Sequence, residues 1–513
     1  MISMPETYLP YADTRRCGLL VTFEMVDVDA AETAASAVSD ACEMAQVAQT
    51  HDRTEHPSYR YASLEQDYWR LDGSFLLPEK EQLPIQQTGW WSKRISDAHG
   101  VFGAPPVLRF SWSVDQSSAG FTVCFDDAGE QYASRFRLRA YDADGVLLKD
   151  ILVENAADRC ELDAPVEHYR TITFEFLQTH VPHRRVRVTE IIFGLIKRFT
   201  QENTVSATLD YSFSPIGESL PTNELTLTID NSDASWNMSN PKGVYAYLQQ
   251  TQPLDVSLTI GEDSVYMGRF YFTTASAEDN AMTAKITAND QVYWLDSIKC
   301  RLGSAGTWTL AQAVHAVLET AKMDIPISIP EELAGRVIRR ALPKDCSCRD
   351  ALHILSQAAQ CTCCMGRNGT LSFFDALQLN TASGFLDLNR MEEPPRMKVA
   401  SEINTVELTI PNEYEENTTE TVYTASDRRD GEPIQTAEYE NAAATDDALA
   451  RWMLRFHKRR LSYTVTERGD PAKEPADVIS ISDSYGGQRN VLITRLKFNY
   501  DGGLRCETEG CGL

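Results

Sequence analysis

Period-two alternation of apolar and polar residues organises the chain from Gly89 onward. Across 107–114, Leu108, Phe110, Trp112 and Val114 fall on one face, with Arg109, Ser111 and Ser113 on the other. Phe121, Val123 and Phe125 alternate in the same way, as do Phe136, Leu138 and Ala140 against Arg135, Arg137 and Arg139. Ile172, Phe174 and Phe176 follow, then Val186 and Val188 ahead of 191–193. Such alternation marks strands with one face buried, and several of them separated by turns predict a β-sandwich over 89–194.

Upstream, 18–26 reads as a strand, 30–48 as an Ala-rich helix, and 59–78 as an aromatic connector without a clean period. Downstream, 205–296 is again rich in short strands, with Leu225, Leu227 and Ile229 alternating and turns at Asp230-Asn231 and Asn240-Pro241-Lys242-Gly243. Strands are expected at 265–272 and 284–288. The period then changes to helical: Leu310, Ala313, Val314, Val317, Leu318 and Ala321 share one helix face. A second helix opens at Ser347, whose spacing to Asp350 fits a capping box, and buries Ala351, Leu352, Leu355 and Ala359. Arg367-Asn368-Gly369 predicts a hairpin into 371–374. Thr405 to Ile410 alternates, 446–457 reads as a helix, and 478–481 and 491–500 read as strands with turns at Gly486-Gly487 and Asp501-Gly502-Gly503.

Length and charge narrow the function classes. The 513 residues allow several domains, and 42% hydrophobic with 24% charged residues is an ordinary globular balance. A formal net charge of −26 argues against nucleic-acid binding, which needs cations over a broad face. No stretch has the roughly 20 consecutive apolar residues that a membrane helix requires, so no membrane insertion is expected. The first 16 residues lack an apolar signal core, which implies assembly in a cytoplasm.

Little of the sequence suggests catalysis. No Gly-x-Ser-x-Gly elbow, phosphate-binding loop, dinucleotide glycine set or His-Glu-x-x-His motif is present, and no cofactor or enzyme activity is expected. Cys346, Cys348, Cys361, Cys363 and Cys364 form a cluster whose thiolates are zinc-type ligands. Their spacing differs from the usual Cys-x2–4-Cys, so the expectation is buried free thiols and no metal. Cys348, at a helix start, is placed where a thiol pKa is lowered, although packing is the preferred reading. Candidate glycan- or partner-binding residues are Trp69, Trp90 and Trp91, whose ring faces stack on sugars or proteins. Arg135, Arg137 and Arg139, with Arg184, Arg185 and Arg187 near another strand, are candidates for an anionic polymer, with a salt-bridged face as the competing reading.

One ordered series of segments resembles a known family. The run 210–225 (DYSFSPIGESLPTNEL) resembles a segment of tail hub proteins from phages and prophages of Gram-positive bacteria. Residues 241–254, Met267-Gly268-Arg269-Phe270-Tyr271, Cys348-Arg349-Asp350-Ala351-Leu352, Gly369-Thr370-Leu371 and Ile403-Asn404-Thr405-Val406-Glu407-Leu408 continue the pattern. Gly469-Asp470-Pro471, 474–479, Tyr485-Gly486-Gly487 and Asp501-Gly502-Gly503-Leu504 complete it, with Pro475-Ala476-Asp477 where the family usually has Pro-Gly-Asp. Segments 62–65, 71–74, 88–92, 100–102, 182–188 and 193–194 resemble the discoidin-like, carbohydrate-binding jelly rolls found in such proteins.

The resemblance implies a mainly β protein with α+β parts. Residues 1–56, outside the resemblance, are expected from their own pattern to be an N-terminal strand and helix; the resemblance makes 57–200 a jelly-roll-like β-sandwich module with its connector and 201–300 a hub β-barrel domain. A small α/β hub domain would span 301–400 and a C-terminal β-rich hub domain 401–513. It further implies a virion structural protein at the tail tip or baseplate of a phage or contractile injection system. There a homotrimer would join the tail tube or distal tail protein to the spike or receptor-binding parts. The chain stops after the last hub strands, so no lytic domain is expected. The alternative is a lectin-like protein recognising cell-wall polysaccharide through the sandwich.

Overall fold

The computed structural model describes residues 1–2, 4, 17–52, 60–76, 88–126, 131–240, 243–260, 263–279, 281–302, 306–411 and 420–513. The Asn240–Gly243 turn therefore lies partly outside the described residues, as do the ends of the connector and most of the first 16 residues. The described chain is mainly β, with short helices, and forms two compact units. One comprises Phe23–Lys197 with Lys242–Gln252; the other comprises Met1–Thr22, Arg198–Pro241 and Pro253–Leu513.

The first unit is the expected β-sandwich. A five-stranded sheet runs in the order Ala35–Val38, Val107–Ser118, Val166–Thr179, Ala133–Tyr141, Leu147–Glu154, and a four-stranded sheet in the order Trp90–Trp91, Arg187–Ile192, Phe121–Phe125, Arg159–Leu162. Inward residues of both sheets share one core, including Leu108, Phe110, Phe121, Val123, Phe136, Leu138, Ile172, Phe174 and Phe176. Rings there meet edge to face, as Phe110 with Phe193 and Trp112 with Phe193 do at centroid distances of 5.1 and 5.0 Å.

Three expectations fail in this unit. The 30–48 stretch is not one helix: helix Val28–Thr33 ends at Ala34, and Ala35–Val38 pairs with Ser111–Leu108 as an edge strand. Tertiary pairing outweighs the modest helix preference of alanine. Residues 23–38 thus belong to the sandwich rather than to a separate N-terminal domain. Val114 is 57% exposed, because a register irregularity between Ser111 and Gln116 breaks the alternation that buries Trp112.

The second unit is built on one continuous sheet. From Pro253–Ile260 onward its strands follow the order Pro253–Ile260, Asp263–Ser276, Thr283–Asn289, Glu224–Asp230, Thr204–Ser212, Gln488–Tyr500, Leu504–Gly512, Leu461–Arg468, Arg396–Val399. Val478–Ser482 pairs with Gln488–Tyr500 and, in parallel, with Gly384–Leu386. Ala207 stands opposite Tyr500, so strands expected in separate 201–300 and 401–513 domains share one ladder.

Around this sheet sit an α/β block and a smaller sheet. Helices Leu310–Ala321 and Cys348–Ala358 both open with capping boxes, Thr309 with Gln312 and Ser347 with Asp350. They pack on hairpin Thr362–Met365/Leu371–Phe374, whose turn holds Gly369 at φ +74°, the left-handed region glycine adopts at little cost. The smaller sheet has Thr405–Pro411 between Glu420–Ser426 and Thr436–Glu440, and helix Ala448–His457 covers it through Leu449, Trp452 and Met453. Among the described residues no helix is long and apolar enough to cross a membrane.

Candidate interaction surfaces

Arg135, Arg137 and Arg139 project from the outer face of the five-stranded sheet, opposite Glu154, Leu152 and Asp150 on the neighbouring strand. Each has a carboxylate partner: Arg135 Nε lies 2.9 Å from Glu154, and Arg137 Nε 3.7 Å from Asp150. Arg139 reaches Asp150 at 3.5 Å and Glu175 at 3.1 Å. Half-exposed pairs of this kind contribute roughly 0–1 kcal/mol each. The face is locally neutral, which favours the salt-bridged reading over an anion-binding patch.

Trp90 and Trp91 are 0% and 2% exposed, so neither presents a ring face to a ligand. Trp90 packs against Phe176 at 5.4 Å and donates its Nε1 hydrogen to Asp40 O at 2.8 Å. Trp91 donates to Thr88 O and lies beneath the Arg187 guanidinium, 4.0 Å from the ring centroid. Their place as binding candidates is corrected to that of core residues. Strand Trp90–Trp91 turns Trp90 into the sandwich core, and Trp91, on its other face, is covered by Tyr61 and Arg187.

Arg187, expected on a basic surface, is also buried, at 0% exposure. Its Nη2 pairs with Glu65, and its Nη1 reaches Asp126 at 3.1 Å and Tyr68 Oη at 2.8 Å. Glu65 also accepts the Arg185 N–H at 2.7 Å, and Arg184 Nη1 donates to Gln66 O. One cation thereby clamps the connector onto the sandwich. The loop is closed at its base by the Tyr61–Leu76 bridge and displays Leu64 at 89%, Trp69 at 41% and Leu71 at 91% exposure. Trp69 alone of the three candidate tryptophans stays available. Sequence reasoning missed the clamp; its signal was an arginine at the centre of Val186-Arg187-Val188, where both neighbours are buried.

In the sheet unit the hub-like segments fall at joints. The loop after Thr204–Ser212 is held by helix Cys348–Ala358: His353 Nε2 contacts Gly217 O at 2.8 Å, and Gln357 Nε2 donates to Pro215 O at 3.4 Å. Burial lowers the His353 pKa, so the neutral ring is the form that fits. Asn223 donates its backbone N–H to an Asp290 carboxylate oxygen at 2.8 Å and its Nδ2 hydrogen to Met365 O at 3.0 Å. Burial pushes the Asp290 carboxyl up to about 7, against three backbone N–H groups that favour the charged form. Arg367, in the 367–369 turn, donates to Pro471 O at 2.6 Å and Lys473 O at 2.5 Å and lies 5.0 Å from the Tyr211 ring centroid. Lys473 in turn pairs with Glu467, both nearly inaccessible. Residue Ala476 sits at φ +72°.

Cys346, Cys348, Cys361 and Cys363 are buried in the core of the α/β block, while Cys364 is buried in a separate core with Phe213 and Phe456. Burial pushes the Cys346 and Cys361 thiols up to about 12, and it raises Cys348 rather than lowering it as a helix start does. Cys300, which sequence reasoning left out, joins the α/β core, and its thiol hydrogen-bonds with that of Cys348. No group of three or more His, Cys, Asp or Glu among the described residues is placed to hold a metal ion.

No family model matches the chain, and no curated protein matches it. Solved structures do. A tail protein from Neisseria meningitidis is 10% identical with TM-score 0.46, covering 61% of this chain and 93% of that one. The 43 kDa tail protein of prophage MuSo2 from Shewanella oneidensis is 13% identical with TM-score 0.43, covering 61% and 95%. The family 32 carbohydrate-binding module of C. perfringens NanJ, solved with galactose, is 10% identical with TM-score 0.22, covering 34% and 99%.

Proposed function

We propose that the chain is a structural protein of a phage or phage-like tail tip, a homotrimeric hub joining the tail tube to the spike or receptor-binding apparatus. The observation that carries this reading is where the hub-like segments fall. Apart from 242–252, which falls in the sandwich unit, the segments from 210–225 to 501–504 lie in one compact unit, at the strand pairings, caps and turns that build it. A series scattered by chance among unrelated loops would have no such coherence. The sandwich, with its own core, is then an attached module whose partners are baseplate proteins or host surface. No cofactor and no catalytic step enters the role.

Copy number in purified tail particles tests the reading. Three chains per particle at the tail axis are expected; one or six overturn it.

The second reading, adhesion to cell-wall glycan, is favoured by Trp69 alone, on a loop that the Arg187 clamp holds in place. It requires the full chain to bind purified cell-wall glycan and Trp69→Ala to abolish that binding.

A further inference from the structure

Two strand edges of the sheet unit carry opposite charge. Arg396–Val399 is the last strand on the main sheet path, and all four of its residues are exposed. Thr436–Glu440 is an outer strand of the small sheet, with Thr436, Glu438 and Glu440 exposed. The first edge carries Arg396 and Lys398, the second Glu438 and Glu440. Arg396 holds Glu393 at 2.6 Å, but Lys398, Glu438 and Glu440 have no ion pair among the described residues. Open edges with unpaired backbone groups invite another strand, and edge charges decide which one.

The backbone bonds fix what each edge offers. Ala400 donates to Arg460 O, so by alternation Lys398 and Arg396 turn their backbone groups to strand Leu461–Arg468, leaving those of Met397 and Val399 at the open edge. In the small sheet, Thr405 N–H donates to Gln435 O and Asn441 N–H to Thr409 O, leaving Thr436, Glu438 and Glu440 facing outward. Antiparallel joining of these two edges sets Met397 opposite a residue such as Glu438 and leaves the cations without acids across from them. Parallel joining with Met397 opposite Tyr439 sets Arg396 opposite Glu438 and Lys398 opposite Glu440. Either edge joined to itself brings like charges together, which is unfavourable.

We propose that the Arg396–Val399 edge of one copy pairs in parallel with the Thr436–Glu440 edge of a second copy. This contact joins different patches of two identical chains, the arrangement that closes rings rather than two-fold dimers. It deepens the homotrimeric reading and rests on it.

Zero-length carbodiimide coupling of the purified full chain or particle links an amine to a touching carboxylate. The expected result is oligomer bands on a denaturing gel whose mass spectra contain the Lys398–Glu440 link. Lys398→Glu should weaken those bands about tenfold, and adding Glu440→Lys should restore them, a rescue that a folding defect would not show. Oligomer bands without this link, failure of the double variant to recover, or no bands at all would each overturn the edge pairing. Three copies in the particle without the link sinks the pairing and leaves the hub reading standing; another copy number sinks the hub reading itself.

Discussion

The sandwich and the sheet unit reach a buried core by opposite routes. Nearly all of the sandwich comes from one continuous stretch, and neighbouring strands such as Ala133–Tyr141 and Leu147–Glu154 are joined by short turns. The sheet unit joins its early strands to its last ones, with Thr204–Ser212 paired to both Glu224–Asp230 and Gln488–Tyr500. A unit closed by local contacts tolerates changes elsewhere in the chain. One closed by distant strands depends on both ends at once.

Truncation breaks the comparison most sharply. A chain ending at residue 460 loses Leu461–Arg468, Val478–Ser482, Gln488–Tyr500 and Leu504–Gly512, and so strips Thr204–Ser212 of one of its two partners. The expected outcome, read by amide hydrogen exchange, is loss of protection across 204–230 while 107–193 remains protected. Equal loss in both would show that the sandwich does not close its own core.

Next in size is the clamp. Arg187→Leu leaves the Glu65 and Asp126 carboxylates buried without their cation, a change that costs about 3–5 kcal/mol. The outward Arg137→Ala, which loses a half-exposed pair 3.7 Å apart, should cost less than about 1 kcal/mol. Chemical denaturation followed on the sandwich tryptophans measures both. Comparable effects from the two would mean that Arg187 is not the buried centre of the loop's attachment.

These contrasts mark how far the sequence could be read. Period-two alternation found Phe136, Leu138 and Ala140 because pleated strands repeat every two residues whatever their partners. The Ser347–Asp350 cap and the Gly369 turn were legible for the same reason, since their chemistry is local. Pairing of Ala207 with Tyr500 was not legible, because alternation says which face is buried and nothing about which strand lies alongside. Trp90 and Trp91 were misread in the opposite direction. Their composition suited a surface site, and only their burial in the folded sandwich shows them to be core.

Asp290 gives the sheet unit a pH dependence. Its folded pKa, raised to about 7 by burial, lies above its unfolded value near 3.9, so the folded chain holds a proton that the unfolded chain releases. Its contribution is therefore fully present below about pH 4 and is lost as pH rises toward 7, at up to about 1.4 kcal/mol per unit. Asp290→Asn keeps one acceptor oxygen, enough for either the Asn223 or the Val292 N–H but not both, since these bond different Asp290 oxygens, and it cannot ionise. Comparing stability at pH 5 and pH 7, the difference between wild type and variant should grow with pH in the variant's favour. A constant difference would show that Asp290 is already ionised in the folded unit.

The smallest expected effect tests the likeness to tail hubs at one backbone position. In Pro475-Ala476-Asp477, alanine occupies the place that glycine usually takes in the family pattern, and its φ of +72° lies in the left-handed region. There the Cβ crowds the backbone at a cost of roughly 1–2 kcal/mol, partly offset because alanine has less freedom to lose on folding than glycine. The conformation persists because the flanking bonds impose it: Ala476 N–H donates to Ile493 O at 2.9 Å, and Asp477 accepts the Glu474 N–H at 2.7 Å. Ala476→Gly should therefore stabilise the sheet unit by about 0.5–1 kcal/mol, seen as a higher denaturation midpoint for that unit and none for the sandwich. A neutral or destabilising result would mean that the turn is relaxed around alanine, and that the departure from Pro-Gly-Asp changed its geometry rather than leaving strain in place.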